Sequence, residues 1–343
     1  MAEVHCFTSA TFAYLDRARV LGGTLRRHHP HWTFWLCLPD EEPPGFAFDP
    51  GREPFDHVVR PADLGIPDVS AWIFGHDVVE LCTAVKGAML HRLLENGAGK
   101  VVYLDPDVAL FADLRPVEAL LERHAVVLTP HLLHAETTVQ GVLDNEIGAL
   151  KHGIYNLGFL AVANTGEGRR FARWWRDRLL AHCMDDVPAG LFTDQRWCDH
   201  APALFDGVHV LRDPGYNVAS WNVAHRPVEI GPDGVIRAAG RPLRFFHFTK
   251  LGAVGRTMLE RNAGDRLAVF ELVKWYEAAL ARHAAAGVPK GWWAYGTYAD
   301  GTPIPRAHRR AYRAQPELRR RFPDPFAAGP GAFVDHAAQG SDA

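Results

Sequence analysis

Several large protein classes are excluded by what this sequence lacks. Only five of its 343 residues are cysteine (Cys6, Cys37, Cys82, Cys183 and Cys198), widely spaced and without a CxxC pair. An odd, scattered set fits reduced, buried thiols and excludes a disulfide framework or a cysteine-bound zinc. There is no basic surplus: 37 Lys+Arg stand against 40 Asp+Glu, a formal net charge of −3. A generic nucleic-acid binder carries excess positive charge to neutralise phosphates, so no nucleic-acid partner is expected. The longest apolar runs, such as Phe34–Leu38 and Ala125–Leu128, fall far short of the roughly 18 residues that cross a bilayer. The N-terminal residues show no basic stretch followed by an apolar one, so no secretory signal is expected. The expected location is cytoplasmic, with peripheral membrane contact left open. No internal repeat is found.

What is present is an ordinary folded-enzyme composition, 48% hydrophobic and 22% charged, which excludes a disordered or fibrous chain. The hydrophobic pattern alternates between periods of two and 3.6. Strands are predicted at Val4–Thr8, Trp32–Leu38, Phe55–Arg60, Lys100–Leu104, Ala125–Thr129 and Tyr155–Ala163, with two short ones near Val208–Arg212 and Leu243–Phe248. Helices are predicted at Thr11–His28, Leu81–Glu95, Pro116–Arg123, Gly168–Cys183 and Glu260–Ala286. Apolar strands alternating with amphipathic helices imply an α/β fold around a mostly parallel sheet. The expected organisation is an α/β domain over residues 1–250 and a helical, aromatic C-terminal extension over 251–326. A Gly/Ala/Ser-rich tail over 327–343 is expected to be disordered.

The strongest local signal is the run Val101-Val-Tyr-Leu-Asp105-Pro106-Asp107. A buried strand ends on two carboxylates one residue apart, and side chains alternating at period two send Asp105 and Asp107 to the same side. Pro106 stiffens the turn. Ligands of open α/β sheets bind beyond the carboxyl ends of the strands, where this pair falls. Two converging carboxylates there make a hard oxygen site for Mg²⁺ or Mn²⁺, a usual partner of diphosphates. The alternative is an Asp-Pro turn starter in a motif short enough to arise by chance.

Further motifs follow in order: Thr83-Ala84-Val85-Lys86 ahead of the Asp-Pro-Asp strand, then Tyr155-Asn156-Leu157-Gly158-Phe159, Thr193-Asp194-Gln195 and Phe246-His247-Phe248-Thr249-Lys250. In kind and order they resemble the GT-A fold of nucleotide-sugar glycosyltransferases. They are most similar to the retaining family-eight group of glycogenin and the bacterial galactosyltransferases, over residues 4–250. The resemblance implies a metal-dependent transfer of sugar from a nucleotide diphosphate sugar, UDP-sugar favoured, with Mn²⁺ or Mg²⁺ as cofactor. It implies a metal site of Asp105, Asp107 and His247, with Asp105 also in reach of the ribose. Lys86 would contact the nucleotide sugar, Thr8 and Ser9 the nucleobase and ribose, Asn156 the donor sugar or acceptor, and Lys250 the diphosphate. After the histidine the group continues with Gly, Lys, Pro and an aromatic residue, whereas this chain reads Thr-Lys-Leu-Gly. Asp194 and Gln195 would stand beside the anomeric carbon as catalytic residues. Read from the residues alone, Thr193 and Asp194 form a helix N-cap and first turn, Asn156 caps a strand end, and Lys86 is a solvated helix lysine.

Two C-terminal features stay two-sided. Trp275, Tyr276, Trp292, Trp293, Tyr295 and Tyr298 suit either stacking on an acceptor sugar or packing the extension onto the α/β domain. Seven arginines between Arg306 and Arg321, with Glu317 as the only acid, suit either an anionic lipid or phosphorylated acceptor or a solvated helix face. The acceptor itself, whether glycan, lipid-linked or small molecule, is not readable. The runner-up functions are a haloacid-dehalogenase-type phosphatase using Asp105 as nucleophile, and a non-catalytic sugar- or partner-binding module of the same fold.

Overall fold

A computed structural model describes residues 3–249 and 251–339. Seven strands carry the main architecture: β1 (Val4–Ser9), β2 (Thr33–Cys37), β3 (His57–Val59), β4 (Lys100–Leu104), β5 (Val108–Leu110), β6 (Val126–Pro130) and β7 (Tyr155–Ala163). The central sheet has the order β3-β2-β1-β4-β7-β6, extended beyond β6 by the strand Val208–Val210. All its pairings are parallel except those of β7, which runs against both β4 and β6. The start of β7 therefore shares an edge of the sheet with the ends of β1 and β4. That is how the start of β7, with Asn156, comes to lie beside Asp105, 51 positions earlier in the chain: Asp105 N–H donates to the Gly158 carbonyl (3.0 Å).

Helices Val78–Glu95 and Gly166–His182 cover one face of the sheet, packing Leu81, Val85, Met89, Phe171 and Trp175 onto it. They approach so closely that a Cβ on Gly87 would sit 2.8 Å from the Arg176 Cα. Helix Leu15–His28 covers the other face with Leu15, Ala18, Leu21 and Leu25. This mixed α/β architecture, with a mostly parallel sheet between helices and helices at the C-terminus, is the class expected from the hydrophobic pattern. No described helix is long and apolar enough to cross a membrane.

The C-terminal region departs from expectation in three ways. The long helix predicted over Glu260–Ala286 is two helices, Ala253–Ala263 and Leu267–Arg282, because Gly264 turns the chain at φ +58°. The arginine-rich segment does not present a uniformly solvated face. Arg309 donates to the carbonyls of Phe74, His76 and Tyr295, and Arg313 to those of Ala181 and Cys183. The Phe74 and His76 carbonyls lie at the end of helix Val69–Phe74, and those of Ala181 and Cys183 at the end of helix Gly166–His182, where a cation is electrostatically favoured. The tail expected to be disordered carries a helix, Phe333–Gln339. Its Phe333 is buried against Phe74, Tyr312 and Phe322, an apolar anchor that a composition-based reading passes over.

Candidate functional site

The site begins where β4 runs out. Asp105 and Asp107 flank the Pro106 turn, which closes through Val108 N–H donating to the Asp105 carbonyl (3.1 Å). The chain then enters β5, which pairs antiparallel with the strand Phe245–His247, setting His247 opposite Val108. Phe248 N–H donates to the Asp107 carbonyl (2.8 Å) and locks this corner. His247 thus arrives beside both acids: its Nε2 is 3.1 Å from Asp107 Oδ1 and 3.6 Å from Asp105 Oδ2. One ligand atom from each of the three lies within 4.8 Å of the others, close enough to surround a single ion.

The other imidazole nitrogen is also accounted for. Asn217 donates through Nδ2 to Thr129 Oγ1 (2.9 Å) and Asn156 Oδ1 (3.0 Å), which leaves its Oδ1 to accept from His247 Nδ1–H (3.2 Å). A fixed Nδ1–H turns Nε2 toward the carboxylates, the arrangement that orients a ligating histidine. The ring lies so flat on β7 that a Cβ on Gly158 would be 2.5 Å from its Cε1 and Nδ1, so this position requires glycine. Burial disfavours charge on His247, but Asp107 and Asp105 outweigh it and hold its pKa above the ordinary histidine range. Burial likewise opposes ionisation of Asp107, and His247 overcomes that and draws it below the usual carboxylate range. Two carboxylates and an oriented imidazole are a donor set that fits Mn²⁺ or Mg²⁺.

Behind Asp105 lies a second, deeper cluster. Lys86 points inward from helix Val78–Glu95, and its Nζ donates to Asp105 Oδ1 (3.0 Å) and Asp194 Oδ2 (2.8 Å). It also lies 4.3 Å from the centre of the Tyr103 ring, whose hydroxyl donates to Asp105 Oδ1 (2.5 Å). The Lys86 and Asp194 side chains are each only 4% exposed, so Lys86 is not a solvated helix lysine. Burial opposes its charge, but Asp105 and Asp194 more than compensate and raise its pKa above the lysine range. Burial lifts Asp194 above the usual carboxylate range despite Lys86.

The capping reading of Thr193 and Asp194 is corrected. Thr193 takes φ +45°, and the next helical turn starts only at Arg196. The Asp194 carboxylate accepts from Lys86 and from Thr193 Oγ1 (3.1 Å) instead of capping a helix. Gln195 accepts through Oε1 from Leu157 N–H (3.1 Å) and donates through Nε2 to the His152 carbonyl (2.9 Å), so its amide fastens the start of β7. Asn156 accepts from Gly158 N–H (3.0 Å) and from Asn217.

A cleft of about 740 Å³ opens over this edge. One wall holds Ser9–Thr11, Lys86, Tyr103 and Asp105–Asp107, and the other comes from the C-terminal extension at Pro289–Ala294. Asn156, Asp194 and Gln195 do not line it. Ser9 Oγ, and Thr8 Oγ1 beside it in β1, are buried with no hydrogen-bond partner among the described residues. Lys250 lies outside the described residues. Sequence reasoning missed Asn217 and Tyr103, and it offered Trp292 and Trp293 of the wall at 289–294 as sugar-stacking or packing residues without deciding between the two. The available signal for Asn217 was its place after Pro214-Gly215, since asparagine tolerates the left-handed backbone it adopts at φ +53°.

No family model matches this sequence. The uncharacterized protein YfnD of Bacillus subtilis (strain 168) is 26% identical over 202 residues, 57% of this chain. The match spans 62% of that relative, less than two thirds of its length. The solved structures to which this chain is similar include glycosyltransferases. The galactosyltransferase LgtC, in complex with donor and acceptor sugar analogs, gives a TM-score of 0.48 at 15% identity, over 84% of this chain and 98% of that one. Mouse xyloside xylosyltransferase 1 gives 0.41 at 16%, over 72% and 98%. The glycosyltransferase GlyE of Streptococcus pneumoniae TIGR4 gives 0.41 at 14%, over 81% and 64%.

Proposed function

We propose that this chain is a glycosyltransferase of the GT-A type that moves a sugar from a nucleoside diphosphate sugar, UDP-sugar favoured, to an acceptor with retention. The observation that carries this reading is the convergence of Asp105, Asp107 and His247 at the carboxyl edge of the sheet, with Asn217 fixing the imidazole. These three residues would hold Mn²⁺ or Mg²⁺. A bound divalent ion supplies positive charge against a departing diphosphate. The unpartnered hydroxyls of Thr8 and Ser9 support contact with the nucleoside. Lys86 holds the Asp105 carboxylate in place, and the Lys86–Asp194 pair sets the local charge beneath the transferred sugar. Gln195 and Asn156 hold the start of β7 beside that point. In the step itself the glycosyl–phosphate C–O bond breaks, a C–O bond to the acceptor hydroxyl forms on the same face, and the acceptor proton leaves with the diphosphate.

The catalytic unit in this reading is residues 1–250, with 251–326 as an extension that completes the cleft. The five free cysteines support a reducing, cytoplasmic setting. No observation favours the phosphatase alternative. The test is release of nucleoside diphosphate from a panel of nucleotide sugars, with Mn²⁺ and with a chelator. Asp107→Ala is expected to lower metal-dependent turnover by a factor of about 10³ or more while keeping the fold. Full activity of that variant in chelator would overturn the proposal.

A further inference from the structure

The reading above uses one wall of the cleft. The opposite wall, Pro289–Thr297, comes from the C-terminal extension and is rigidly fastened. Asp40, buried beyond the end of β2, accepts through Oδ1 from Ala294 N–H (2.8 Å) and through Oδ2 from Phe12 N–H (3.0 Å). One carboxylate therefore ties the segment after β1 to the C-terminal segment that faces it. Trp292 Nε1–H donates to the Glu41 carbonyl (2.9 Å) and Tyr295 OH to Glu41 Oε1 (3.0 Å). Arg309 donates to the Tyr295 carbonyl (2.6 Å) and stacks its guanidinium 4.8 Å from the Trp293 ring. Trp293 lines the cleft, yet its buried indole N–H has no partner among the described residues.

The chemistry of this part of the cleft favours a flat, weakly polar ligand. Ala10, Ala13, Val79, Trp292 and Trp293 offer aromatic and aliphatic surface. The isolated donor on Trp293 and the hydroxyl of Ser9 suit the rim of a heterocycle. A polyhydroxyl acceptor would need many more hydrogen-bonding partners. Resting on the glycosyltransferase reading, we propose that Pro289–Thr297 is the nucleoside-binding wall of the donor site. The base inserts between the end of β1 and the tryptophans, and Trp293 Nε1–H donates to an acceptor atom on the base. Asp40 is the positioning residue that sets the width of this slot. The C-terminal extension thereby takes part in choosing the nucleotide.

The test is calorimetric titration of the full chain, in Mn²⁺, with UDP, CDP, GDP, ADP and inorganic pyrophosphate. Wild type is expected to bind one nucleoside diphosphate at least tenfold more tightly than pyrophosphate. Trp293→Phe keeps an aromatic face, smaller than the indole, and removes the donor, so it is expected to weaken that nucleotide about tenfold with pyrophosphate unchanged. Asp40→Asn keeps one acceptor and loses the other, and is expected to show the same selective loss. Wild-type nucleotide affinity in Trp293→Phe would overturn the nucleoside wall and leave the glycosyltransferase reading standing. So would a wild-type chain that binds pyrophosphate as tightly as every nucleotide. A wild-type chain that binds neither nucleotides nor pyrophosphate would overturn both readings.

Discussion

The acidic corner and the nucleoside slot are built on opposite principles. In the acidic corner and the cluster behind it nearly every polar group is already matched: Lys86 with Asp105 and Asp194, Tyr103 with Asp105, His247 with Asp107 and Asn217, Gln195 with the backbone of β7. Around the nucleoside slot, at the end of β1 and on the C-terminal wall that faces it, Thr8 Oγ1, Ser9 Oγ and Trp293 Nε1 are buried and unmatched among the described residues. The difference follows from charge. A buried ion left without a partner costs several kcal/mol, whereas a buried neutral hydroxyl or indole N–H costs roughly 1–3 kcal/mol. Charged groups must therefore be balanced by the protein itself, while neutral donors can be left for a ligand to satisfy.

That contrast can be broken most forcefully at Lys86. Lys86→Met removes the cation shared by two acids and leaves Asp194 buried without its counter-charge. The expected loss is about 3–5 kcal/mol of stability, read by chemical denaturation. A loss below about 1 kcal/mol would show that the acidic corner does not depend on internal balance. Asp194→Asn is gentler, because an amide oxygen can still accept from Lys86. If the Asp194 charge acts in catalysis, turnover falls by a factor of roughly 10² with nucleotide affinity nearly unchanged. Wild-type turnover would confine it to holding Lys86. The smallest effect is expected in the nucleoside slot. Ser9→Ala removes a hydroxyl that has no partner in the protein, so stability should change by less than about 1 kcal/mol while nucleotide affinity drops a few-fold. A marked loss of stability would mean that Ser9 is matched inside the fold after all.

The parts legible in the sequence were those with short-range signals. β4 and β7 are strongly apolar stretches, broken only by Lys100 in the first and by Asn156 and Gly158 in the second, and their limits, Lys100–Leu104 and Tyr155–Ala163, agree with the periodicity. Asp105 and Asp107 are legible because both flank one turn. His247 is brought to them by a pairing between distant strands, and only the order of motifs pointed to it. Asn217 was not legible, since orienting an imidazole leaves no mark on its neighbours beyond a turn-forming sequence. Asp194 misled because threonine is a favoured N-cap and aspartate a favoured first-turn residue, and only the left-handed backbone at Thr193 directs the carboxylate inward. The aromatic cluster divides: Tyr276 stacks on Phe248 at 4.0 Å and packs the extension, while Trp292 and Trp293 face the cleft. No one-dimensional pattern separates those two fates.

The pairing of β5 with Phe245–His247 has a kinetic consequence. The parallel strands β1 to β4 and their helices are close in sequence and can assemble as the chain emerges. The acid–imidazole corner closes only when a strand from the far end of the α/β portion returns to β5. Contacts of long sequence separation form late because loop closure must come first. Ligands at this corner would then act mainly on the rate at which the finished molecule opens, with little influence on how quickly it folds. Unfolding measured with and without Mn²⁺ would record the corner as a latch.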